Sequence, residues 1–137
     1  MENLLVSIIT PSFNCEKFIA ETIQSVQNQT YQNWEMIIVD DGSIDKTVSI
    51  IKQMACLDTR IVFLKLDINL GTGIARNTAL YRAKGRYISF LDADDLWTPN
   101  KLEIQIEFMQ ANKLSFTFSF YDCINEEGKS LSKRVES

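Results

Sequence analysis

The chain has 137 residues, enough for one domain with its own hydrophobic core and too few for two. Its hydrophobic content of 45% and charged content of 23% are typical of a globular domain. No apolar run approaches the roughly 20 residues that a membrane span needs, and the net charge of −4 argues against nucleic-acid binding, which needs a basic surface.

The chain contains no histidine, and its three cysteines are Cys15, Cys56 and Cys123. The missing histidine excludes the Ser-His-Asp triad, the Cys-His dyad and the usual zinc ligands. An odd number of widely spaced cysteines favours inert thiols over a disulfide framework. Any acid–base or metal chemistry must therefore come from carboxylates.

Apolar runs that predict strands alternate along the chain with segments that carry a helical stripe of apolar residues. Strands are predicted at residues 4–10, 34–39, 60–66, 87–91 and 115–123. Helices are predicted at 16–29, over a stripe from 44 to 55, at 74–84 and from 99 onward. Residues 126–129 predict a turn, and residues 130–137 predict either a further strand or a frayed tail.

Several residues predict where these elements begin and end. Pro11 should end the first strand, because proline cannot donate a hydrogen bond to a neighbouring strand. Ser43 or Asp45 could cap the second helix. Gly85 should end the third helix in the C′ position, and Thr98-Pro99 should begin the fourth.

The alternation of strands and helices predicts a three-layer α/β/α domain around a mainly parallel sheet. Ligands of such sheets bind beyond the carboxyl ends of the strands. Polar, charged and glycine residues follow four of the predicted strands, at residues 11–14, 40–43, 71–76 and 92–95. Their convergence at one edge of the sheet predicts a single site.

Asp92, Asp94 and Asp95 follow the apolar run 87–91, which predicts a buried strand. Such carboxylates repel one another, and desolvation penalises their charged forms. A hard divalent cation that bridges carboxylates to substrate phosphates would relieve both effects. In a purely structural alternative, Asp95 caps a turn and backbone amides bind Asp92. We favour a metal site for a phosphorylated ligand.

The other stretches leave two interpretations open. Asp41 belongs either to a capping turn or to a site where it accepts a hydrogen bond from a nucleobase. Phe13 either stacks on a base or packs under the first helix, and the second is favoured. Arg76 could pair with phosphate or with the acidic residues. The run 71–73 is an incomplete dinucleotide fingerprint that could still let the backbone approach a diphosphate.

Five stretches, taken together and in this order, resemble glycosyltransferase family 2 with the GT-A fold. They are residues 6–14 (VSIITPSFN), 25–30 (SVQNQT), 35–45 (EMIIVDDGSID), 69–77 (NLGTGIARN) and 91–95 (LDADD). The resemblance implies that the chain binds a nucleotide-sugar donor, commonly a UDP-sugar, with Mg²⁺ or Mn²⁺. The implied donor-binding residues are Pro11, Phe13, Asn14, Asp41, Gly71, Arg76, Asp92, Ala93 and Asp94.

The resemblance also implies roles for some of these residues. Pro11 and Phe13 would line the base pocket, and Asp41 would contact the base. Asp92 and Asp94 are the ends of the D-x-D motif; Asp94 would hold the metal on the diphosphate, and Asp92 would lie near the ribose or the metal. A carboxylate would deprotonate an acceptor hydroxyl, which would attack the anomeric carbon and invert it.

The family's catalytic base usually comes from well beyond the D-x-D motif, in an acceptor-binding half, and family domains are typically longer than this chain. Residues 1–137 therefore resemble a single domain cut before that half, with the base beyond Ser137. Nothing in the spacing of Asp122 or Glu126 recommends either as the base. We expect the chain to bind donor and metal but to transfer sugar poorly or not at all.

The expected acceptor is a glycan or a lipid-linked glycan in surface polysaccharide synthesis. A non-catalytic nucleotide-sugar-binding module is the alternative, and a phosphoacceptor signalling domain is disfavoured because no lysine follows residues 115–123 suitably. Residues 1–3 lack the basic segment of a signal peptide, which predicts a cytoplasmic protein that could associate with the inner face of a membrane. Phe116, Phe118 and Phe120 could favour a homo-oligomer if uncovered.

Overall fold

The structure is a computed structural model that describes residues 3–112, 120–124 and 130–136, with side chains described for residues 3–112. In chain order the elements are β1 (Val6–Ser12), α1 (Ile19–Gln27), β2 (Trp34–Asp40), α2 (Thr47–Leu57), β3 (Ile61–Lys65), α3 (Thr72–Arg82), β4 (Tyr87–Phe90), α4 (Lys101–Asn112), β5 (Phe120–Ile124) and β6 (Ser130–Glu136). The predictions for residues 115–119 and 126–129 lie outside the described residues. Strand β6 confirms the first alternative for the last predicted segment.

The first four strands form one parallel sheet in the order β3-β2-β1-β4, and β5 and β6 form an antiparallel hairpin. The mainly parallel sheet of the prediction is therefore confirmed. The strand order reverses at β1, which has β2 on one side and β4 on the other. In open α/β sheets, ligands bind at the carboxyl ends of the strands beside such a reversal.

Two cores lie on the two faces of this sheet. One is built by α1, α2 and α4 against one face of the strands, and the other by α3 against the opposite face. The predicted stripes of α1 and α4 are confirmed, since all six of their residues are buried: Ile19, Ile23, Val26, Leu102, Ile106 and Met109. Ala75 and Ala79 are fully buried on α3, which lets that helix approach Ile9 closely.

The first strand does not end at Pro11, because β1 runs on to Ser12 and Pro11 pairs with Val39 of β2. The pairing of β1 with β4 stops earlier, at Ile9 and Phe90. Proline is tolerated here because the side of β1 that faces β4 is no longer paired at this position, so no hydrogen bond from a backbone N–H is needed. The chain thus stays extended up to the site.

Gly85 does not end α3 in a left-handed C′ conformation, since α3 ends at Arg82 and the residue that caps it is Ala83. A Cβ at Gly85 would instead lie 2.6 Å from the backbone nitrogen of Ser7. The Gly85 N–H also donates to Ser7 Oγ at 2.8 Å. The glycine is needed because the chain crosses β1 closely, which sequence alone does not reveal.

All four helix starts are shifted from the predicted positions: α1 begins at Ile19 rather than at residue 16, and α3 at Thr72 rather than at residue 74. Helix α2 begins at Thr47, so Ile44 lies outside the helix and is 91% exposed, while Ile51 is buried. Neither Ser43 nor Asp45 is the N-cap residue, which is Lys46 and makes no side-chain cap hydrogen bond. Asp45, one position earlier, accepts the Thr47 N–H through Oδ1 at 2.9 Å. Helix α4 begins at Lys101, after a turn in which the Lys101 N–H donates to the Thr98 carbonyl.

The apolar run 87–91 predicted a buried strand, but β4 is only partly buried. Ile88 and Phe90 are exposed, Phe90 by 54%, whereas Leu91 is buried. The reason is that β4 is an edge of the described sheet and α3 packs over β1 and β2. Among the described helices, none is long and apolar enough to cross a membrane.

Candidate functional site

A cleft of about 400 Å³ lies at the carboxyl ends of β1 and β4, where the strand order reverses. Its volume is within the usual range of small-molecule sites. The described residues that line it are Pro11, Ser12, Phe13, Asn14, Cys15, Phe18, Asp41, Thr72, Arg76, Asp92, Ala93 and Asp94. Eight of the nine residues proposed from the sequence are in this lining. The ninth, Gly71, donates its N–H to Asp41.

The two neighbouring aspartates at the end of β2, Asp40 within the strand and Asp41 just after it, make different contacts. Asp40 is fully buried and accepts hydrogen bonds from Ser12 Oγ at 2.9 Å and from the Ser43 N–H at 2.8 Å. It therefore ties the ends of β1 and β2 to the following turn. Asp41 is 4% exposed, and its two carboxylate oxygens accept the N–H groups of Leu70 at 2.7 Å and Gly71 at 3.0 Å.

Glycines make this junction of loops compact. Gly42 has φ +82°, and a Cβ there would lie 2.9 Å from the backbone nitrogen of Asn69. Gly71 has φ +103° and precedes the first residue of α3. The loop before α3 is thus held against the end of β2, and the amino terminus of α3 faces the cleft through Thr72.

The prediction that Phe13 packs under the first helix is wrong, since its side chain is 47% exposed and lines the cleft. The next residue, Asn14, has φ +46°, so the chain turns there and Cys15 enters the core instead. Asn14 holds this turn because its Oδ1 accepts the Ile44 N–H at 2.9 Å. Burial raises the pKa of the Cys15 thiol, in agreement with an inert cysteine.

The acidic loop, residues 92–98, contributes Asp92, Ala93 and Asp94 to the cleft. Asp92, Asp94 and Asp95 are exposed rather than deeply buried. The Arg76 guanidinium lies 3.1 Å from Asp92 Oδ1, so in this structure Arg76 pairs with the acidic residues. Within the described part of the chain, no backbone N–H donates to the Asp92 carboxylate, and Asp94 has no hydrogen-bond partner there.

Asp95 has a different charged neighbour, because it interacts electrostatically with Lys101. Partial desolvation, followed by the charges of Asp94 and Asp92, raises the pKa of Asp95. Desolvation lowers the pKa of Lys101, against the opposing effect of the Asp95 charge, and its ammonium lies 4.6 Å from the centre of the Trp97 ring. Asp95 does not line the cleft, so it is separate from the pair Asp92 and Asp94.

Among the described residues, no group of three or more His, Cys, Asp or Glu side chains could hold a metal ion by itself. The predicted pair, Asp92 and Asp94, offers exposed carboxylate oxygens and no soft ligand. This donor set fits Mg²⁺ or Mn²⁺, because such ions are often bound by one or two carboxylates together with substrate phosphates.

Four lining residues were not proposed from the sequence: Ser12, Cys15, Phe18 and Thr72. Ser12 and Thr72 belong to the stretches 11–14 and 71–76, which were predicted to meet at the carboxyl edge of the sheet. Their position in those stretches could have identified them as lining residues. Cys15 and Phe18 come just before α1, and only the turn at Asn14 brings them to the cleft.

A family model described as Glycosyl transferase family 2 matches residues 7–136. The chain belongs to glycosyl transferase family 2. The family that the sequence motifs indicated is thereby confirmed.

Two curated relatives match this glycosyltransferase chain over nearly its whole length. The putative teichuronic acid biosynthesis glycosyltransferase TuaG of Bacillus subtilis (strain 168) is 46% identical over 133 residues, 97% of this chain and 53% of that protein. The Escherichia coli UDP-Glc:alpha-D-GlcNAc-diphosphoundecaprenol beta-1,3-glucosyltransferase WfgD is 48% identical over 125 residues, 91% of this chain and 49% of that protein. The chain thus spans about half the length of these relatives.

Two solved structures share the fold of this glycosyltransferase chain. S. aureus TarS 1-349 in complex with UDP has a TM-score of 0.74 at 31% identity, over 79% of this chain and 32% of that one. The mannosyltransferase PcManGT from Pyrobaculum calidifontis, in complex with GDP-Man and Mn²⁺, has a TM-score of 0.74 at 26% identity, over 80% and 33%. The predicted GT-A architecture is confirmed by these similarities.

Proposed function

We propose that this chain is the donor-binding part of a metal-dependent, inverting glycosyltransferase. Its donor is a nucleoside diphosphate sugar, with a UDP-sugar as the first candidate, and its acceptor is a hydroxyl of a glycan or lipid-linked glycan. The observation that carries the proposal is the composition of the cleft. Three carboxylates, an arginine and an exposed aromatic ring meet at one edge of the sheet, although they come from four separate parts of the chain.

The nucleoside end of the donor is assigned to the side of the cleft formed by the end of β1. Phe13 offers an exposed aromatic face on which a base can stack. Asp41 already accepts two backbone hydrogen bonds, but a carboxylate has about four acceptor positions. One of those that remain can accept the imide N–H of a uracil, which favours UDP over a donor whose base presents only acceptors there.

The diphosphate end is assigned to Arg76, the acidic loop and the amino terminus of α3. Helix amino termini favour anions because their N–H groups lack partners in the helix, and Thr72 at this terminus lines the cleft. Asp94 and Asp92 would hold a divalent cation, which when bound supplies a Lewis acid for the departing diphosphate. Arg76 would move from Asp92 to a phosphate oxygen once that cation neutralises Asp92.

The catalytic base is not assigned to a described side chain. The three carboxylates of the described cleft are those of Asp41, Asp92 and Asp94, and each already has a proposed role. The base that accepts the acceptor's proton is therefore expected beyond Ser137. The shorter length relative to the two curated relatives supports this expectation.

The acceptor proposal rests on the relatives. The name of WfgD specifies a diphosphoundecaprenol-linked sugar as its acceptor, and TuaG is named for teichuronic acid biosynthesis. A lipid-linked acceptor would require the whole protein to work beside a membrane, which agrees with peripheral association at its inner face. The alternative, a module that binds the nucleotide sugar without catalysis, is favoured only by the lack of an assigned base.

Calorimetric titration with UDP, with and without Mn²⁺, tests donor and metal binding together. We expect Mn²⁺ to raise UDP affinity at least about tenfold, and Asp94→Asn to remove that gain. Asp67→Asn is the matched control, because Asp67 is exposed and lies outside the cleft. Equal UDP affinity with and without Mn²⁺ would overturn the metal assignment. Sugar transfer by this chain alone would overturn the proposal that the base lies beyond Ser137.

A further inference from the structure

Helix α1 and the turn that follows it present three polar side chains to the acidic loop. Thr22, Ser25 and Gln29 are spaced three and four residues apart, so they lie on one side of this segment. None of the three lines the cleft. We call them the α1 clamp, because each makes a hydrogen bond to the backbone of the acidic loop.

Thr22 makes the contact nearest to the proposed metal ligands. Its Oγ1 donates to the carbonyl oxygen of Ala93 at 2.9 Å, and Ala93 lies between Asp92 and Asp94. A threonine inside a helix commonly donates to a carbonyl one turn back, whereas this one reaches a loop 71 residues away. Thr22 is fully buried and Ala93 nearly so, so water would not readily replace the bond.

Ser25 and Gln29 hold the end of the loop. Ser25 Oγ accepts the Trp97 N–H at 3.3 Å. The Gln29 amide donates to the Thr98 carbonyl at 2.7 Å and accepts the Leu102 N–H at 3.1 Å. Gln29 is buried, and its amide can supply both a donor and an acceptor, which a carboxylate cannot.

Other contacts also hold the loop: Ala93 and Trp97 belong to the hydrophobic core, the Asp95 N–H donates to the Asp92 carbonyl at 3.0 Å, and Arg76 pairs with Asp92. No helix or strand lies between Phe90 and Lys101, and three carboxylates within four residues repel one another. The clamp adds three hydrogen bonds to the loop backbone, at Ala93, Trp97 and Thr98, and the bond to the Ala93 carbonyl lies between the two proposed metal ligands.

We infer that Thr22, Ser25 and Gln29 are positioning residues for the donor site. They hold the acidic loop so that Asp92 and Asp94 face the cleft before any ligand arrives. The inference deepens the proposed function and rests on it, since it concerns the same metal and diphosphate site. Weakening the clamp lets the loop adopt other conformations, and the apparent affinity is then the intrinsic affinity multiplied by the fraction of molecules that can still bind.

Thr22→Val is the sharpest variant, because valine keeps the shape and removes the hydroxyl. Its matched control is Thr10→Val, since Thr10 is equally buried and its Oγ1 has no hydrogen-bond partner among the described residues. Thr22→Ser keeps a hydroxyl at this position, so its loop exchange and its UDP affinity should match those of the unchanged protein. Two readouts are measured: amide hydrogen exchange of residues 92–98 without ligand, and UDP affinity with and without Mn²⁺.

For Thr22→Val we expect the Asp95 and Trp97 amides to exchange at least about tenfold faster, and Mn²⁺-dependent UDP affinity to fall about tenfold. UDP affinity without Mn²⁺ should change little. Thr10→Val and Thr22→Ser should behave like the unchanged protein. Ser25→Ala, a milder change at a partly buried position, should act in the same direction and provides the test if Thr22→Val does not fold.

If Thr22→Val or Ser25→Ala folds and its loop amides exchange at the unchanged rate, the inference is overturned, whatever the effect of Mn²⁺ on UDP affinity. Faster exchange with unchanged Mn²⁺-dependent affinity also overturns it, because the clamp would then be purely structural. If the unchanged protein shows no Mn²⁺ dependence, the proposed metal function fails instead. In that case the exchange measurement still decides whether the clamp holds the loop.

Discussion

The Arg76 guanidinium lies 3.1 Å from Asp92 Oδ1 and so joins the first turns of α3 to the acidic loop. Both side chains are substantially exposed, at 42% and 51%. Exposed ion pairs contribute only about 0–1 kcal/mol to stability, so the pair has little value for the fold alone. It does place a positive charge where the proposed function needs one for a diphosphate.

Arg76→Gln should therefore leave the free energy of unfolding within about 0.5 kcal/mol of the original. UDP affinity should fall about tenfold, because a charge-assisted hydrogen bond to phosphate is lost. UMP, which lacks the second phosphate, should lose less. Calorimetry with both nucleotides measures this, and Arg82→Gln, at the opposite end of α3, is the control. A larger loss for UMP than for UDP would place Arg76 away from the diphosphate.

Asp41 and Asp94 should respond differently to the same change. In Asp41→Asn, one of the two backbone N–H groups now held by the carboxylate would face an amide NH₂, so we expect a loss of about 1–3 kcal/mol. Asp94→Asn should stay within about 0.5 kcal/mol, since Asp94 is exposed and its removal relieves repulsion. Urea denaturation measures both. A strongly destabilised Asp94→Asn would indicate a structural role instead.

Gly85→Ala should destabilise the fold by about 1–3 kcal/mol, because its Cβ would meet the backbone of Ser7 and Leu5. Gly73→Ala is the matched change, since a Cβ there meets nothing within 4 Å and the residue is helical. It should be neutral or stabilise by up to about 1 kcal/mol. Thermal or urea unfolding of both variants would check the difference, and equal stabilities would contradict the close approach at Gly85.

The ionised carboxylate of Asp58 should stabilise the fold, and this part of the free energy of unfolding should be lost at acid pH. Its carboxylate accepts two hydrogen bonds from the Arg60 side chain, at 3.1 Å and 3.0 Å. These bonds are the main cause that lowers the pKa of Asp58. Because the pKa of Asp58 is lower in the folded state than in the unfolded chain, the charged carboxylate stabilises the folded state. This stabilisation is fully present at pH values above the ordinary pKa of about 3.9, and it is lost as the pH falls through the pKa of the folded state.

Asp58→Asn should therefore cost about 1 kcal/mol at pH 7, and the difference from the original protein should shrink below a pH of about 4. Urea denaturation across this range measures it. Asp67→Asn, at an exposed aspartate without an ion pair among the described residues, should show no such trend. A difference that stayed constant down to pH values of about 2.5 would mean that Arg60 does not stabilise the charged form.

Local patterns predicted most of the elements and the edge where the site lies. The apolar stripes of α1 and α4 could be read because a helix repeats every 3.6 residues whatever it packs against. The residues after β1, β2 and β4 could be grouped because parallel strands end at one edge. These features depend on neighbours a few positions apart, so the sequence contains them directly.

Contacts between distant parts of the chain were decided only by the tertiary structure. Sequence spacing does not say that Asp40 ties β1 to β2 while its neighbour Asp41 holds the loop before α3, or that Thr22 reaches the carbonyl of Ala93. Nor does it say that Gly85 is needed for a close approach to Ser7. Each depends on where two segments cross, and a hydrogen bond tolerates only a few tenths of an ångström in that crossing.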